Sequence, residues 1–165
     1  MSSGHDTSLL GPVFVDEHLW VYTDERVLEE FNKAYMLFRN YDVAYLAGYS
    51  KNGRSFYIDR HLPLHLRAGT RSFTTALVIN HERMEAAIIH GLGWGYAQAH
   101  TMAENYEDQI YKNLGYDPQK VEAAYQPYIK AAAHEKIKLV PKDLDLTPYI
   151  DSHDTKLLKA IQRAQ

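Results

Sequence analysis

A short Gly-rich break between two long helical patterns constrains the fold of this chain more than any other feature. The spacing of apolar residues predicts one helix over about residues 72–90 and a second over about residues 96–114, closed by Gly115. The break between them contains Gly91, Gly93 and Gly95. Because so short a connection favours antiparallel neighbours, we expect these two helices to pack side by side.

Each of the two predicted helices carries a His and a Glu four positions apart. They are His81 and Glu85 on the first helix, and His100 and Glu104 on the second. Positions i and i+4 lie on one face of a helix, one turn apart. Since both pairs lie at similar distances from the break, antiparallel packing would bring the two faces together around one metal ion.

The segment from His81 to Glu85 has the form H-E-x-x-E. The related helix motif H-E-x-x-H supplies two zinc ligands and a Glu that acts as general base, and a catalytic zinc site adds a third protein ligand and a water. We therefore predict that His81, Glu85 and His100 bind a divalent metal, with Zn²⁺ as the first choice. Glu82 would take a proton from the metal-bound water. Glu104 is an alternative ligand, or else a partner for the other nitrogen of His100.

The absence of cysteine restricts which side chains can bind a metal. Without thiolates, the ligands must come from His, Asp and Glu. Divalent iron, manganese and nickel suit such ligands nearly as well as zinc does. The composition therefore supports a metal site built from imidazole and carboxylate groups, and leaves the identity of the metal open.

Charge and hydropathy argue against two classes of partner. The formal net charge is -3 and both signs are mixed along the chain, so that no basic surface for nucleic acid is predicted. No apolar run approaches the roughly 18 residues that a membrane-spanning helix needs, and the polar start lacks the layout of a signal peptide. We expect a cytoplasmic protein without a nucleic-acid or membrane partner.

The first half of the chain predicts a small antiparallel β layer, and the second half predicts helices. Asn52-Gly53 separates two β-type runs, 42–49 and 55–59, which is a strong hairpin signal. Strands followed by helices make the fold class α+β. The length of 165 residues predicts one domain over 1–165, with a loose lead-in over 1–12 and a C-terminal arm and short helix over 139–165.

The remaining elements are predicted from breakers, caps and periodicity. In chain order they are extended pieces over 13–15 and 19–22, a helix over about 25–39 capped by Thr23 or Asp24, a loop over 64–71, a helix from Asp117-Pro118 to about Lys138, an extended arm over 143–147 and a last helix over about 154–163. Tyr96 is predicted to pack in the interhelix turn. Asp59 and His61 are predicted to be polar residues at the end of the second hairpin strand. If that strand lies beside the first long helix, Arg60 or His61 could instead steady an oxyanion.

Four segments resemble a group of uncharacterised phage and prophage proteins over roughly residues 45–160. They are Tyr57-Ile58-Asp59-Arg60, His81-Glu82-x-x-Glu85, Tyr96-x-x-Ala99-His100-x-x-Ala103-x-x-x-Glu107 and Val140-Pro141-x-Asp143-Leu144-Asp145-Leu146-x-Pro148-Tyr149. The order of strand, first long helix and second ligand helix is also similar to the zincin-like metallopeptidases. This resemblance implies a predominantly helical zincin-like half and a metal-dependent peptidase or amidase acting on a protein or peptide. The chain departs from the zincin pattern at Glu85, where the usual ligand is His, and an added carboxylate lowers the Lewis acidity of the metal.

Two other functions fit the same residues. The first is a non-catalytic phage accessory or structural protein, in which these side chains hold a structural metal or form a buried His/Glu network. The second is a metal-free binding module that adds a partner strand to the hairpin edge. The sequence leaves open the substrate, the oligomeric state and the choice among these functions.

Overall fold

The computed structural model describes residues 19–131 and 136–165. Seven helices lie within these residues: α1 (Leu19–Thr23), α2 (Glu25–Phe31), α3 (Ile79–Leu92), α4 (Tyr96–Asn113), α5 (Pro118–Ala131), α6 (Thr147–Asp151) and α7 (Thr155–Ala164). Five strands accompany them: β1 (Met36–Tyr41), β2 (Ala47–Tyr49), β3 (Ser55–Asp59), β4 (His65–Ala68) and β5 (Arg71–Thr74). The predicted α+β class is confirmed. The predicted lead-in over 1–12 and the extended piece over 13–15 lie outside the described residues.

A three-stranded sheet with the order β1-β3-β2 forms the β layer. The predicted hairpin is confirmed, because β2 and β3 pair antiparallel with Gly48 opposite Tyr57. Gly53 in the turn has a φ of 69°, which glycine adopts without strain. β1 pairs with β3 in the parallel direction, so this sheet is mixed, and the second sheet is an antiparallel pair of β4 and β5.

Two N-terminal predictions were wrong: residues 19–22 were predicted to be extended and are helical, and the helix predicted over 25–39 is shorter. Residues 19–22 belong to helix α1, where Val21 and Tyr22 are buried in the same apolar cluster as α3 and α4. The helix predicted over 25–39 ends at Phe31, although its predicted cap Asp24 does accept a hydrogen bond from the Arg26 amide. Residues 36–39 of that segment belong to β1, which is hydrogen-bonded to β3. Such non-local pairing overrides local periodicity.

The loop predicted over 64–71 was also wrong, because β4 and β5 form a hairpin there. Phe73 of β5 is buried against Tyr111 and Tyr125, and this aromatic packing stabilises the strand. The strand is too short for an alternation of apolar and polar residues to be evident in the sequence. The first long helix therefore begins at Ile79, after a 3-10 turn over Thr75–Val78.

The predicted pair of long helices is confirmed in α3 and α4. Gly93 ends α3 in the left-handed conformation, with a φ of 69°. Met84 and Ile88 of α3 pack in one buried cluster with Ala99 and Ala103 of α4. Contacts along the pair run in opposite directions, since Glu85 contacts His100 while the earlier His81 contacts the later Glu107. The helices are therefore antiparallel.

The C-terminal part of the chain returns to the sheet. Leu144 is buried and forms an antiparallel bridge with Ser50, and the Asp145 amide donates to the Tyr49 carbonyl, so the first part of the predicted arm is extended as expected. The arm ends in α6, which begins at Thr147, and α7 follows with Asp154 as its N-cap. The predicted third helix is present as α5, and residues 132–135 beyond it lie outside the described residues.

Within residues 19–131 and 136–165, no helix combines the length and the apolar character that a membrane crossing requires.

Candidate metal centre

The three predicted ligands meet at one point between α3 and α4. His81 Nε2 lies 3.0 Å from Glu85 Oε2, and His100 Nδ1 lies 2.9 Å from the same oxygen. The two ring nitrogens are 3.2 Å apart. The structure thus brings together two imidazole nitrogens and one carboxylate oxygen, and the outermost two of these residues, His81 and His100, are 19 positions apart in the chain.

These three atoms have the spacing that a metal ion requires. Zinc binds nitrogen and oxygen ligands at about 2.0–2.1 Å, and a tetrahedral arrangement then separates neighbouring ligand atoms by about 3.3 Å. The observed separations of 2.9, 3.0 and 3.2 Å are slightly shorter, so that small outward movements of the side chains would admit the ion. The group of His81, Glu85 and His100 could therefore hold a metal ion.

Burial makes the charge of Glu85 dependent on its partners. Its side chain is 2% exposed, and a carboxylate buried without hydrogen bonds would be strongly destabilising. Burial by itself raises the pKa of Glu85, but hydrogen bonds from His100 and His81 outweigh it and lower the pKa to about 2. The Tyr49 hydroxyl donates a further hydrogen bond of 2.8 Å to the other carboxylate oxygen. Glu85 is consequently ionised at neutral pH.

His81 carries the complementary charge when no metal is bound. Burial lowers its pKa, but the hydrogen bond to Glu85 and the nearby charges of Glu82 and Glu107 together raise the pKa to about 10. The metal-free cluster therefore holds a proton on His81 at neutral pH. A metal ion would have to displace this proton, because an imidazole ligand binds through its lone pair.

A second layer of acidic groups contacts the outer nitrogens of both rings. Glu104 Oε1 lies 3.1 Å from His100 Nε2, and Glu107 Oε2 lies 3.8 Å from His81 Nδ1. A carboxylate beside the outer nitrogen of an imidazole orients the ring for metal binding. Glu104 is close enough to His100 for this, whereas Glu107 at 3.8 Å is beyond hydrogen-bonding distance and acts on His81 through its charge. Glu104 therefore occupies the second of its two predicted positions: it lies beside the nitrogen of His100 that faces away from the cluster.

This arrangement favours a cation at the centre of the cluster. In the metal-free protein the inner nitrogens donate to Glu85 Oε2, but when both rings are neutral and protonated at their outer nitrogens, as metal binding requires, the inner nitrogens present lone pairs to this oxygen, which is also an acceptor. Three acceptors within 3.2 Å of one another repel unless a positive charge lies between them. A proton supplies that charge in the metal-free protein, and a divalent metal ion would supply it more fully.

The cluster forms part of the wall of a cavity of about 530 Å³. Glu82 also lines this cavity and, among the described residues, accepts no hydrogen bond. Burial and the neighbouring charges of Glu85 and Glu107 raise the pKa of Glu82 to about 8, against the lowering effect of His81. Glu82 is thus a carboxylate with a near-neutral pKa, beside the cluster and free to act on a molecule in the cavity.

The charged side chains that line the cavity are mainly acidic. Its seven carboxylates are Glu82, Glu85, Glu104, Glu107, Asp108, Glu122 and Asp145. No Lys or Arg lines it among residues 19–131 and 136–165. A negatively charged ligand would therefore meet repulsion that a neutral or cationic ligand would not.

Two groups at the site were not predicted from sequence. Glu107 is seven positions after His100 and so lies on the same face of α4, which is a signal that helical periodicity could have supplied. Tyr49 comes from β2, 36 positions before Glu85, and no local pattern connects the two. Tyr96, predicted to pack in the interhelix turn, instead lines the cavity, with its hydroxyl 3.3 Å from His100 Nδ1.

The predicted oxyanion role of Arg60 or His61 was wrong, because neither residue lines the cavity. The Arg60 Nε donates to Asp42 Oδ1 at 2.7 Å. His61 lies 3.4 Å from Asp59, whose carboxylate also accepts from the Val43 amide. Although Asp42, Asp59 and His61 have the spacing of a metal site, these hydrogen bonds already serve to join the end of β3 to its neighbours.

Comparison with protein-family models, with curated proteins and with solved structures gave no match to this chain. The resemblance to phage and prophage proteins and to the zincin-like metallopeptidases therefore stays a prediction. The function proposed below rests on the geometry and charges of the candidate metal centre.

Replacing Glu107 with glutamine tests the second layer. At pH 8, where Glu107 with its pKa of about 7 is ionised, we expect Glu107→Gln to weaken Zn²⁺ binding by about 10- to 100-fold, because the amide removes a negative charge 3.8 Å from His81 Nδ1. Glu104→Gln should have a smaller effect, since that side chain is 57% exposed and screened by water. Competition titration with a chromophoric chelator gives both affinities. Glu122→Gln is the control, and an equal loss in that variant would contradict the role of Glu107.

Proposed function

We propose that this protein is a metal-dependent hydrolase of peptide or amide bonds, in which His81, Glu85 and His100 hold one divalent metal ion. Zn²⁺ is the first choice, and Glu82 is the general base. The observation that carries the proposal is the convergence of three ligand atoms within 3.2 Å of one another at the wall of a cavity that also exposes Glu82.

Each group has a separate part in the proposed reaction. A metal held by these ligands supplies a Lewis acid that lowers the pKa of a bound water to about 7. Glu82, one position after His81, takes a proton from the attacking water and later gives it to the leaving nitrogen. A divalent cation held by these ligands would lower the pKa of the Glu82 carboxyl from the value of about 8 in the metal-free protein. Glu82 would then be ionised at neutral pH, as a base must be.

The charge of the cavity favours peptide and amide substrates over phosphate esters. One divalent ion would offset only two of the seven carboxylates that line the cavity. The remaining negative charge repels phosphate groups but tolerates neutral amides.

Two further predictions concern the origin and location of the protein. The phage or prophage origin is supported by the four resembling segments, and the cytoplasmic location by the absence of cysteine.

A non-catalytic role is the second candidate, and one observation favours it. Every buried side-chain nitrogen and oxygen of the described residues has a hydrogen-bond partner without any metal. The His/Glu cluster can therefore act as a hydrogen-bonded network that fixes α3 against α4, or it can hold a metal that only stabilises this packing.

Metal titration followed by an assay for cleavage separates these candidates. Protein freed of metal by a chelator is titrated with Zn²⁺, and one equivalent is expected to bind. The loaded protein is then incubated with an unfolded, carboxymethylated protein substrate, and new peptides are sought by mass spectrometry. Absence of zinc binding contradicts the proposed hydrolase, whereas one bound equivalent with a raised Tm and no cleavage supports the structural role.

Zinc binding should tighten as the pH rises. In the metal-free protein His81 has a pKa of about 10 and so holds a proton throughout the range from pH 6 to pH 8. Because zinc must displace that proton, and because its charge also favours loss of the proton that Glu82 holds below its pKa of about 8, the Kd is expected to fall by at least about tenfold per pH unit in this range. Titrations at pH 6, 7 and 8 measure the slope, and calorimetry in buffers of different ionisation enthalpy counts the protons released. A Kd that is independent of pH contradicts a protonated His81 in the metal-free state.

A further inference from the structure

Six tyrosines line the cavity, and five of their hydroxyl groups make hydrogen bonds to atoms other than the three converging ligand atoms, His81 Nε2, Glu85 Oε2 and His100 Nδ1. The six are Tyr45, Tyr49, Tyr96, Tyr111, Tyr125 and Tyr149. Tyr49 donates to Glu85, Tyr45 to Ser152 and Tyr149 to the Ala44 carbonyl. The hydroxyls of Tyr111 and Tyr125 bond to each other at 3.2 Å. Tyr96 is the exception, because its hydroxyl contacts a predicted ligand atom.

The Tyr96 hydroxyl lies at the position where the metal and a substrate would meet. It is 3.3 Å from His100 Nδ1, and the two rings have centroids 5.3 Å apart. When Nδ1 carries a lone pair, the hydroxyl can donate to it. A metal bound to Nδ1 would occupy that lone pair, so the hydroxyl would lose this acceptor and become available to another one nearby.

Hydrolysis of an amide is accelerated by a hydrogen-bond donor near that position, in addition to a metal ion. Negative charge develops on the carbonyl oxygen as water attacks, and a well-placed donor stabilises it. No Lys or Arg of the described chain lines the cavity, so the donor has to be a neutral group. Asn105 also lines the cavity, but it is five positions after His100 and so points about 140° away around α4.

We propose that Tyr96 is a catalytic residue that donates a hydrogen bond to the carbonyl oxygen of the substrate as that oxygen becomes negatively charged. The inference rests on the proposed hydrolase function. Water oxygen forms a bond to the carbonyl carbon, the carbonyl π pair moves to oxygen, and Glu82 takes the proton of the water. The carbon–nitrogen bond then breaks and Glu82 returns the proton to nitrogen, while the Tyr96 proton stays on the phenol.

The test compares Tyr96→Phe with wild type in the zinc-loaded protein. Tyr41→Phe, which removes a hydroxyl outside the cavity, is the matched control. The probe is acetohydroxamic acid, a small molecule that is neutral in solution, so the acidic cavity does not repel it, and that binds zinc as its anion, whose oxygen would accept the same hydrogen bond. We expect Tyr96→Phe to bind it about tenfold or more weakly, since a hydrogen bond to a charged group is lost. Zn²⁺ affinity should stay within about threefold of wild type, because the phenol is not a ligand.

If cleavage is detected, Tyr96→Phe should lower kcat by about 10²- to 10³-fold with KM little changed, as expected for a donor that acts mainly in the transition state. A loss of zinc affinity beyond about tenfold would make Tyr96 a ligand and overturn the proposal. Equal hydroxamate affinities in wild type and variant, with zinc bound in both, overturn the role of Tyr96 alone. Failure of wild type to bind zinc overturns the hydrolase function, and this inference with it.

Discussion

His81→Ala is expected to weaken Zn²⁺ binding by about 10²- to 10³-fold. Apparent binding free energies of structural zinc sites are about 10–16 kcal/mol, which corresponds to about 2.5–4 kcal/mol for each of four ligands. Since 1.36 kcal/mol is a factor of ten, the loss of one ligand has an effect of this size. His81 Nε2 contacts both other ligand atoms, so its removal also leaves Glu85 and His100 without a fixed third partner.

The same helix provides the control. His90 lies in the last turn of α3 and is exposed, so His90→Ala removes an imidazole without touching the cluster. Equilibrium competition titration gives both affinities, and circular dichroism of the metal-free proteins shows whether the helices are retained. Stoichiometric, tight zinc binding by a folded His81→Ala protein would exclude His81 as a ligand.

The candidate ligands were accessible from sequence because their geometry depends on short-range rules. The i, i+4 spacing of His81 and Glu85 places both on one face of α3. The short glycine break then folds α4 back so that His100 faces them. These relations involve only helical periodicity and one turn, and both can be inferred from residue spacing.

The supporting groups and part of the fold were not accessible in this way. Tyr49 reaches Glu85 from a strand, and its position depends on how the sheet packs on α3. Likewise, residues 36–39 continue the apolar periodicity of the helix predicted over 25–39 only at Phe38, and the parallel pairing with β3 and the stacking of Phe38 on Tyr57 make them part of a strand. Contacts between distant parts of the chain decide such cases, and a single sequence does not encode them in a local pattern.

The positions of the carboxylates suggest that the cavity is organised for function and not for stability. Like charges close together destabilise a folded protein unless cations offset them. The charges of Glu104, Asp108 and Glu122 all act on Glu107 and, with burial as the main cause, raise its pKa to about 7. Functional sites commonly retain such unfavourable local features. A bound cation would relieve the repulsion, which is consistent with a metal as part of the native protein.

Glu82→Gln is expected to lower the rate of any hydrolysis by about 10²- to 10⁴-fold, the range typical for loss of a general acid–base group. Zinc binding should be retained, because Glu82 is not among the three converging ligand atoms. The amide has nearly the same size as the carboxyl group but cannot accept the proton of the attacking water. Glu29→Gln, an exposed position on α2, is the matched control. Unchanged hydrolysis in zinc-loaded Glu82→Gln excludes Glu82 as the base, and loss of zinc would make it a ligand.

Glu82→Gln is expected to lower the hydrolysis rate but to raise the stability of the metal-free protein. Burial, assisted by Glu85 and Glu107, raises the pKa of Glu82 from 4.5 to about 8, so ionisation of this carboxyl is less favourable in the folded state than in the unfolded one. The resulting destabilisation is absent below pH 4.5 and grows as the pH rises from 4.5 to about 8. Metal-free Glu82→Gln should therefore unfold at a higher Tm than wild type at pH 8, and at a similar Tm at pH 4. A residue that raises the reaction rate while lowering metal-free stability is expected of a catalytic base, whereas a carboxylate retained only for packing would stabilise the fold.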